Sequence, residues 1–117
     1  MRRPPGIGTL RAAWWAERAL RHARSELSDG GLRGVSLPAP PRLPRRAERG
    51  MHALLRRRDA SCLERSLVVQ RWLAAHDDCR DVVIGTSGVE GFEAHAWLDG
   101  DLASAAGFSE LTRLPAP

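Results

Sequence analysis

Near residue 80 the hydrophobic spacing of this chain changes period. In the helical stretches between Thr9 and Ala75 apolar residues return every three or four positions. From Asp81 onward they run together or alternate, as in "DVVIGTS" and "GFEAHAWL". The first pattern puts one apolar stripe on a helix and the second puts one apolar face on a strand. Helices first and strands last predict an α+β arrangement, in which N-terminal helices cover a small antiparallel sheet. With 117 residues the chain is expected to form a single domain, residues 1–117, with a core large enough to fold.

Three regions follow from the punctuation. Residues 1–44 read as a helix from Thr9, its expected cap, to about Leu27, then a Pro- and Gly-rich connector, "SDGGLRGVSLPAPPRLP". Trp14 and Trp15 are neighbours on that helix, so one is expected to pack while the other sits at a rim. Residues 45–106 hold a second, Arg-rich helix over 45–58 and a third from Ser61 to about Ala75. The strands over 81–87 and 91–98 follow, with a turn at "SGVEG" between them. Asp99-Gly100 is a two-residue hairpin signal, and "DLASAA" reads as the returning strand. Residues 107–117 read as a tail, packed only through Phe108, Leu111 and Leu114.

Charge and cysteine content narrow the function classes. The formal net charge is +4, carried entirely by arginine since the chain has no lysine, and the pI is about 10.8. That balance suits an acidic partner. Only 5% of residues are aromatic and no DNA-binding motif is present, so no nucleic-acid partner is expected. No stretch approaches the ~18 apolar residues of a membrane span, and the arginine-led N-terminus is broken by Arg11, Glu17 and Arg18, unlike a signal peptide. Two cysteines are too few for a disulfide framework, so a cytoplasmic location is expected.

One of those cysteines has a candidate chemistry. In "SCLERSLVVQRWLAAH" Ser61 is a good N-cap, which puts Cys62 in the first helical turn. Free backbone N–H groups and the helix dipole there favour a thiolate, and the same N–H groups suit an oxyanion. Cys62 shares a stripe with Ser66, Val69 and Leu73, so it points inward, toward the sheet. A nucleophile needs a base within reach. His95 lies on the polar face of its strand with Glu93 and Trp97, opposite Phe92, Ala94, Ala96 and Leu98, and is the candidate base. Cys79 lies among Asp77, Asp78 and Asp81, where a thiolate is disfavoured. The spacing of Cys62, His76, Cys79 and His95 matches no compact zinc pattern, and neither metal nor cofactor is expected.

The words Cys-Leu-x-Arg-Ser-Leu at Cys62 to Leu67, Val-Ile-Gly at Val83 to Gly85 and Ala-His-Ala-Trp at Ala94 to Trp97 resemble the transglutaminase-like cysteine peptidases of lasso-peptide biosynthesis. These microcin-processing-type proteins remove the leader from a ribosomally made precursor. The resemblance is strong over residues 61–101 and weaker over the two preceding helices. It implies a papain-like half-fold, Cys62 as nucleophile and His95 as its base. It also implies three partners: the precursor leader peptide, a small leader-recognition protein and an ATP-dependent macrolactam synthetase. The Arg-rich helix over 45–58 is a candidate surface for the leader or a partner. A non-catalytic scaffold of the same biosynthetic complex is the alternative.

The family's third residue is an Asp after the His, and here the positions conflict. A two-residue turn at Asp99-Gly100 pairs His95 with Ser104 and turns Asp101 to the other face. Asp99 shares the face of His95 but lies about 13 Å along the strand. A bulge or longer turn would return Asp101. Asp101 and Ser104 therefore stand level as third members, with Asp99 behind them. Trp97 is expected to wall the site and bind substrate, and Trp72 to pack the third helix on the sheet.

Overall fold

A computed structural model of the chain describes residues 6–31, 35–87 and 93–117. In order these form α1 (Ile7–Gly30), a 3-10 turn (Arg45–Ala47), α2 (Glu48–Arg57), α3 (Cys62–Ala74), β1 (Val82–Ser87), β2 (Glu93–Leu98), α4 (Leu102–Ala105) and β3 (Phe108–Leu114). The architecture is α+β, three helices followed by a small three-stranded antiparallel sheet of order β2-β1-β3. Most of the "SGVEG" turn and the start of the second expected strand, including Phe92, lie outside the described residues.

The helical half is built on small residues. Ala12, Ala16, Ala19 and Ala23 recur at helical spacing on α1 and are fully buried, which lets α2 approach closely. At Gly50 of α2 an added Cβ would lie 2.0 Å from the carbonyl oxygen of Thr9, so only glycine permits this crossing. Thr9 is not a cap. It lies inside α1, whose N-cap is Gly6. Met51 and Leu55 of α2 and Val68 and Trp72 of α3 complete this core, with Trp15 5.8 Å from Trp72 between ring centroids. Trp15 is buried and its Nε1–H donates to the Pro38 carbonyl at 2.9 Å, which pins the connector across α1. Its neighbour Trp14 is 81% exposed.

Trp72 packs toward α1 rather than the sheet, contrary to the sequence expectation. The reason is that α3 is covered on two sides. Leu63 and Leu67 meet the sheet at Val82, Ala96 and Leu98, and Trp72 projects from the other side. Gln70, buried between these two cores, donates from Nε2 to the carbonyls of Arg80 (2.9 Å) and Leu114 (3.0 Å). One amide thereby ties α3 to the start of β1 and the end of β3.

Two further expectations are corrected. "DLASAA" is not a returning strand; Leu102–Ala105 is the short helix α4, capped by Asp101. The expected tail contains β3, which pairs with β1 on the side away from β2. The Asp99-Gly100 turn does form, but Asp101 captures the backbone N–H of Ser104 at 3.2 Å and diverts the chain from a hairpin. Gly107, at φ 84°, then reverses the chain into β3. Among the described residues no helix is long and apolar enough to cross a membrane.

Candidate functional site

The start of α3 is firmly fixed. Ser61 Oγ accepts the N–H of Glu64 at 3.1 Å, and Glu64 Oε1 accepts the N–H of Ser61 at 3.0 Å, a complete capping box. Arg24 of α1 clamps both Glu64 oxygens, at 3.1 and 3.3 Å, and also donates to the Arg58 carbonyl at 3.0 Å. Burial opposes ionisation of Glu64. The Ser61 N–H, the Arg24 guanidinium and the Ser61 hydroxyl outweigh it and hold the carboxyl below the usual range. Cys62 follows directly, half-buried, at the first position of the helix.

Among the described residues β2 is an edge strand, with one side free of the ladder. In the β1–β2 register His95 stands opposite Gly85 and Trp97 opposite Val83, so His95 and Trp97 share a face as their alternation requires. Their rings lie 5.7 Å apart at 26°, and Phe108 of β3 sits 4.7 Å from His95 and 6.0 Å from Trp97. Gly85 makes room for this cluster. A Cβ there would come within 2.7 Å of the Trp97 ring and 2.5 Å of the Ser109 carbonyl oxygen. The aromatic packing leaves His95 only partly exposed and Trp97 buried.

A cavity of about 250 Å³ lies between α2, the start of α3, β2 and α4. Cys62, Ser66 and Val69 line it from α3, His95 and Trp97 from β2, and Asp101 and Ser104 from the turn and α4. The stripe read from the sequence of α3 thus faces the strand that carries His95. Asp101 and Ser104, alternatives in the sequence, act as one unit. Oδ1 of Asp101 accepts the Ser104 N–H at 3.2 Å and Oδ2 accepts the Ser104 hydroxyl at 2.7 Å. The Ser104 hydroxyl and backbone N–H, with smaller help from the charge of His95 and the Ala103 N–H, hold the Asp101 carboxyl below its usual range against a modest burial effect. Asp99 is engaged elsewhere, its Oδ2 accepting from Arg113 at 3.0 Å.

Other sequence candidates lie apart from this cavity. Cys79 is exposed. The ring nitrogens of His76 lie 2.8 and 2.9 Å from the carbonyls of Trp72 and Leu43. In the Arg-rich segment Arg45 pairs with Asp78 and Arg58 with Glu17, while Arg46, Arg49, Arg56 and Arg57 are exposed.

One lining residue gave no signal in the sequence. His52 of α2 faces the cavity together with Cys62 and His95. In "RGMHALL" it stands beside the apolar stripe of Met51, Leu54 and Leu55, where a lone histidine reads as surface. It gains its place only once α2 and α3 are both packed on α1. Burial, followed by the charges of Arg56 and Arg65, lowers its affinity for a proton, and Glu48 opposes them.

A nucleophile candidate at a helix start, an imidazole from an adjacent strand and a carboxylate within Coulomb range of that imidazole are the parts needed for acyl transfer by a thiol. A family model described as the transglutaminase-like superfamily matches residues 6–113 of the chain. No curated protein and no solved structure matches it.

Proposed function

The chain belongs to the transglutaminase-like superfamily, which includes cysteine peptidases, and on that premise we propose that it is a cysteine peptidase that removes the leader from a lasso-peptide precursor. The observation that carries this reading is that Cys62, His95 and Asp101 line one cavity. The Cys62 sulfur attacks the scissile carbonyl, and His95 takes the thiol proton and returns it to the leaving amine. Asp101, oriented by Ser104, steadies the imidazolium. Water then releases the leader from the thioester. The backbone N–H of Cys62 is one oxyanion donor.

The motif words around Cys62, Gly85 and His95 support the leader-peptidase subtype. On that reading the protein works in the cytoplasm. A small leader-recognition protein presents the precursor to it, and an ATP-dependent macrolactam synthetase takes the released core. The exposed Arg46, Arg49, Arg56 and Arg57 suit an acidic leader or partner. The test combines precursor, leader-recognition protein and this protein, and reads the masses of the products. Wild type is expected to cut once between leader and core, and Cys62→Ala not at all. Full cutting by Cys62→Ala would move the chain to a scaffolding role.

A further inference from the structure

Two histidines, not one, line the cavity with Cys62, and their surroundings separate their roles. His95 lines the cavity with Asp101, and the charge of His95 favours the ionised Asp101 carboxyl. A proton taken up by His52 places a cation near Arg56 of its own helix and Arg65 of α3, in a half-buried position, with Glu48 opposing them among the described residues. The other titratable groups lining the cavity are Cys62, His95 and Asp101. His52 therefore suits a neutral ring. A neutral imidazole keeps one N–H to donate.

We propose that His52 is the second oxyanion donor, its ring N–H binding the oxygen of the carbonyl that Cys62 attacks. The inference rests on the peptidase reading above. As the S–C bond forms, the thiol proton passes to His95 and the carbonyl π electrons pass to oxygen. That oxygen lies between the backbone N–H of Cys62 and the ring N–H of His52. When the tetrahedral species collapses, C=O reforms, the C–N bond breaks and His95 protonates the amine. A donor that stays neutral through this sequence does not compete with His95 for the thiol proton.

The test separates chemistry that creates an oxyanion from chemistry that does not. In a Cys79→Ala background, acylation by p-nitrophenyl acetate, read by p-nitrophenolate release, forms a tetrahedral oxyanion. Alkylation by iodoacetamide, read by mass, is displacement at a saturated carbon and forms none. His52→Leu is expected to slow acylation by about 10²-fold or more while leaving alkylation unchanged. His52→Gln, which restores an N–H donor, is expected to recover part of the loss. His95→Ala is expected to slow both reactions. Acylation of His52→Leu at the parent rate overturns the proposal, and so does equal slowing of both reactions. Failure of the peptidase reading has a different signature, because His95→Ala would then leave both reactions of Cys62 at the parent rate. Circular dichroism and thermal unfolding establish that each variant is folded, and the His52→Gln arm decides the matter should His52→Leu not fold.

Discussion

Asp101 holds Ser104 twice, through the backbone N–H at 3.2 Å and the hydroxyl at 2.7 Å, so each fixes the other in the wall of the cavity. If Asp101 is the carboxylate that steadies His95, Ser104 acts only by orienting it. Asp101→Ala is then expected to be the more damaging change, with Ser104→Ala retaining measurable activity. The double variant is expected to be no worse than Asp101→Ala, because the pair acts as a unit. Single-turnover cleavage of the four proteins checks this. A dead Ser104→Ala beside an active Asp101→Ala would give the role to Ser104.

Gly85 carries the second expectation. Substitution by alanine drives a methyl into both the Trp97 ring and the Ser109 carbonyl, displacing the wall beside His95 and the β1–β3 pairing together. Overpacking of this kind costs about 1–3 kcal/mol. Gly85→Ala is expected to lower the unfolding midpoint and, in the folded fraction, to lower activity. A fully active variant with unchanged stability would show that Trp97 and β3 yield freely.

The buried amide of Gln70 bridges the two halves of the fold. Gln70→Leu keeps the volume but strands the carbonyls of Arg80 and Leu114. The expected loss is about 1–3 kcal/mol in urea unfolding, with the aromatic cluster at His95 intact. A stability equal to wild type would mean that these carbonyls find water.

Glu64 gives a pH dependence with a definite sign. Its carboxyl titrates lower in the folded chain than in the unfolded one, so its ionised form contributes stability above the unfolded range, and that contribution is lost as pH falls through the folded value. Glu64→Gln is expected to be less stable than wild type at neutral pH by about 1 kcal/mol. The difference should shrink below about pH 4. A gap that persists in acid would assign the effect to hydrogen-bond geometry rather than charge.

Much of this arrangement is legible in the sequence because it is local. The Ser61 cap, the inward stripe from Cys62 to Val69 and the shared face of His95 and Trp97 each follow from spacing within a single element. What escaped the sequence is non-local. Asp99-Gly100 carries the signal of a hairpin, yet Asp101 bonds forward to Ser104, and β1 takes Phe108–Leu114 as its second partner. No periodicity announces which strand a third one will join. Spacing alone puts Trp72 on the wrong side of α3, because a helix buried on two sides has no single apolar face. His52 is invisible in the sequence because its place in the cavity comes from α2 and α3 packing separately on α1.

The most direct measurement is the rate at which iodoacetamide labels each cysteine at neutral pH, read by peptide mass. Cys62 is half-buried and Cys79 exposed, so access alone favours Cys79. If Cys62 is a nucleophile activated by His95, Cys62 is expected to be labelled well ahead of Cys79 in wild type and to lose that lead in His95→Ala. Labelling of Cys79 ahead of Cys62, or a Cys62 rate indifferent to His95, would contradict the assignment.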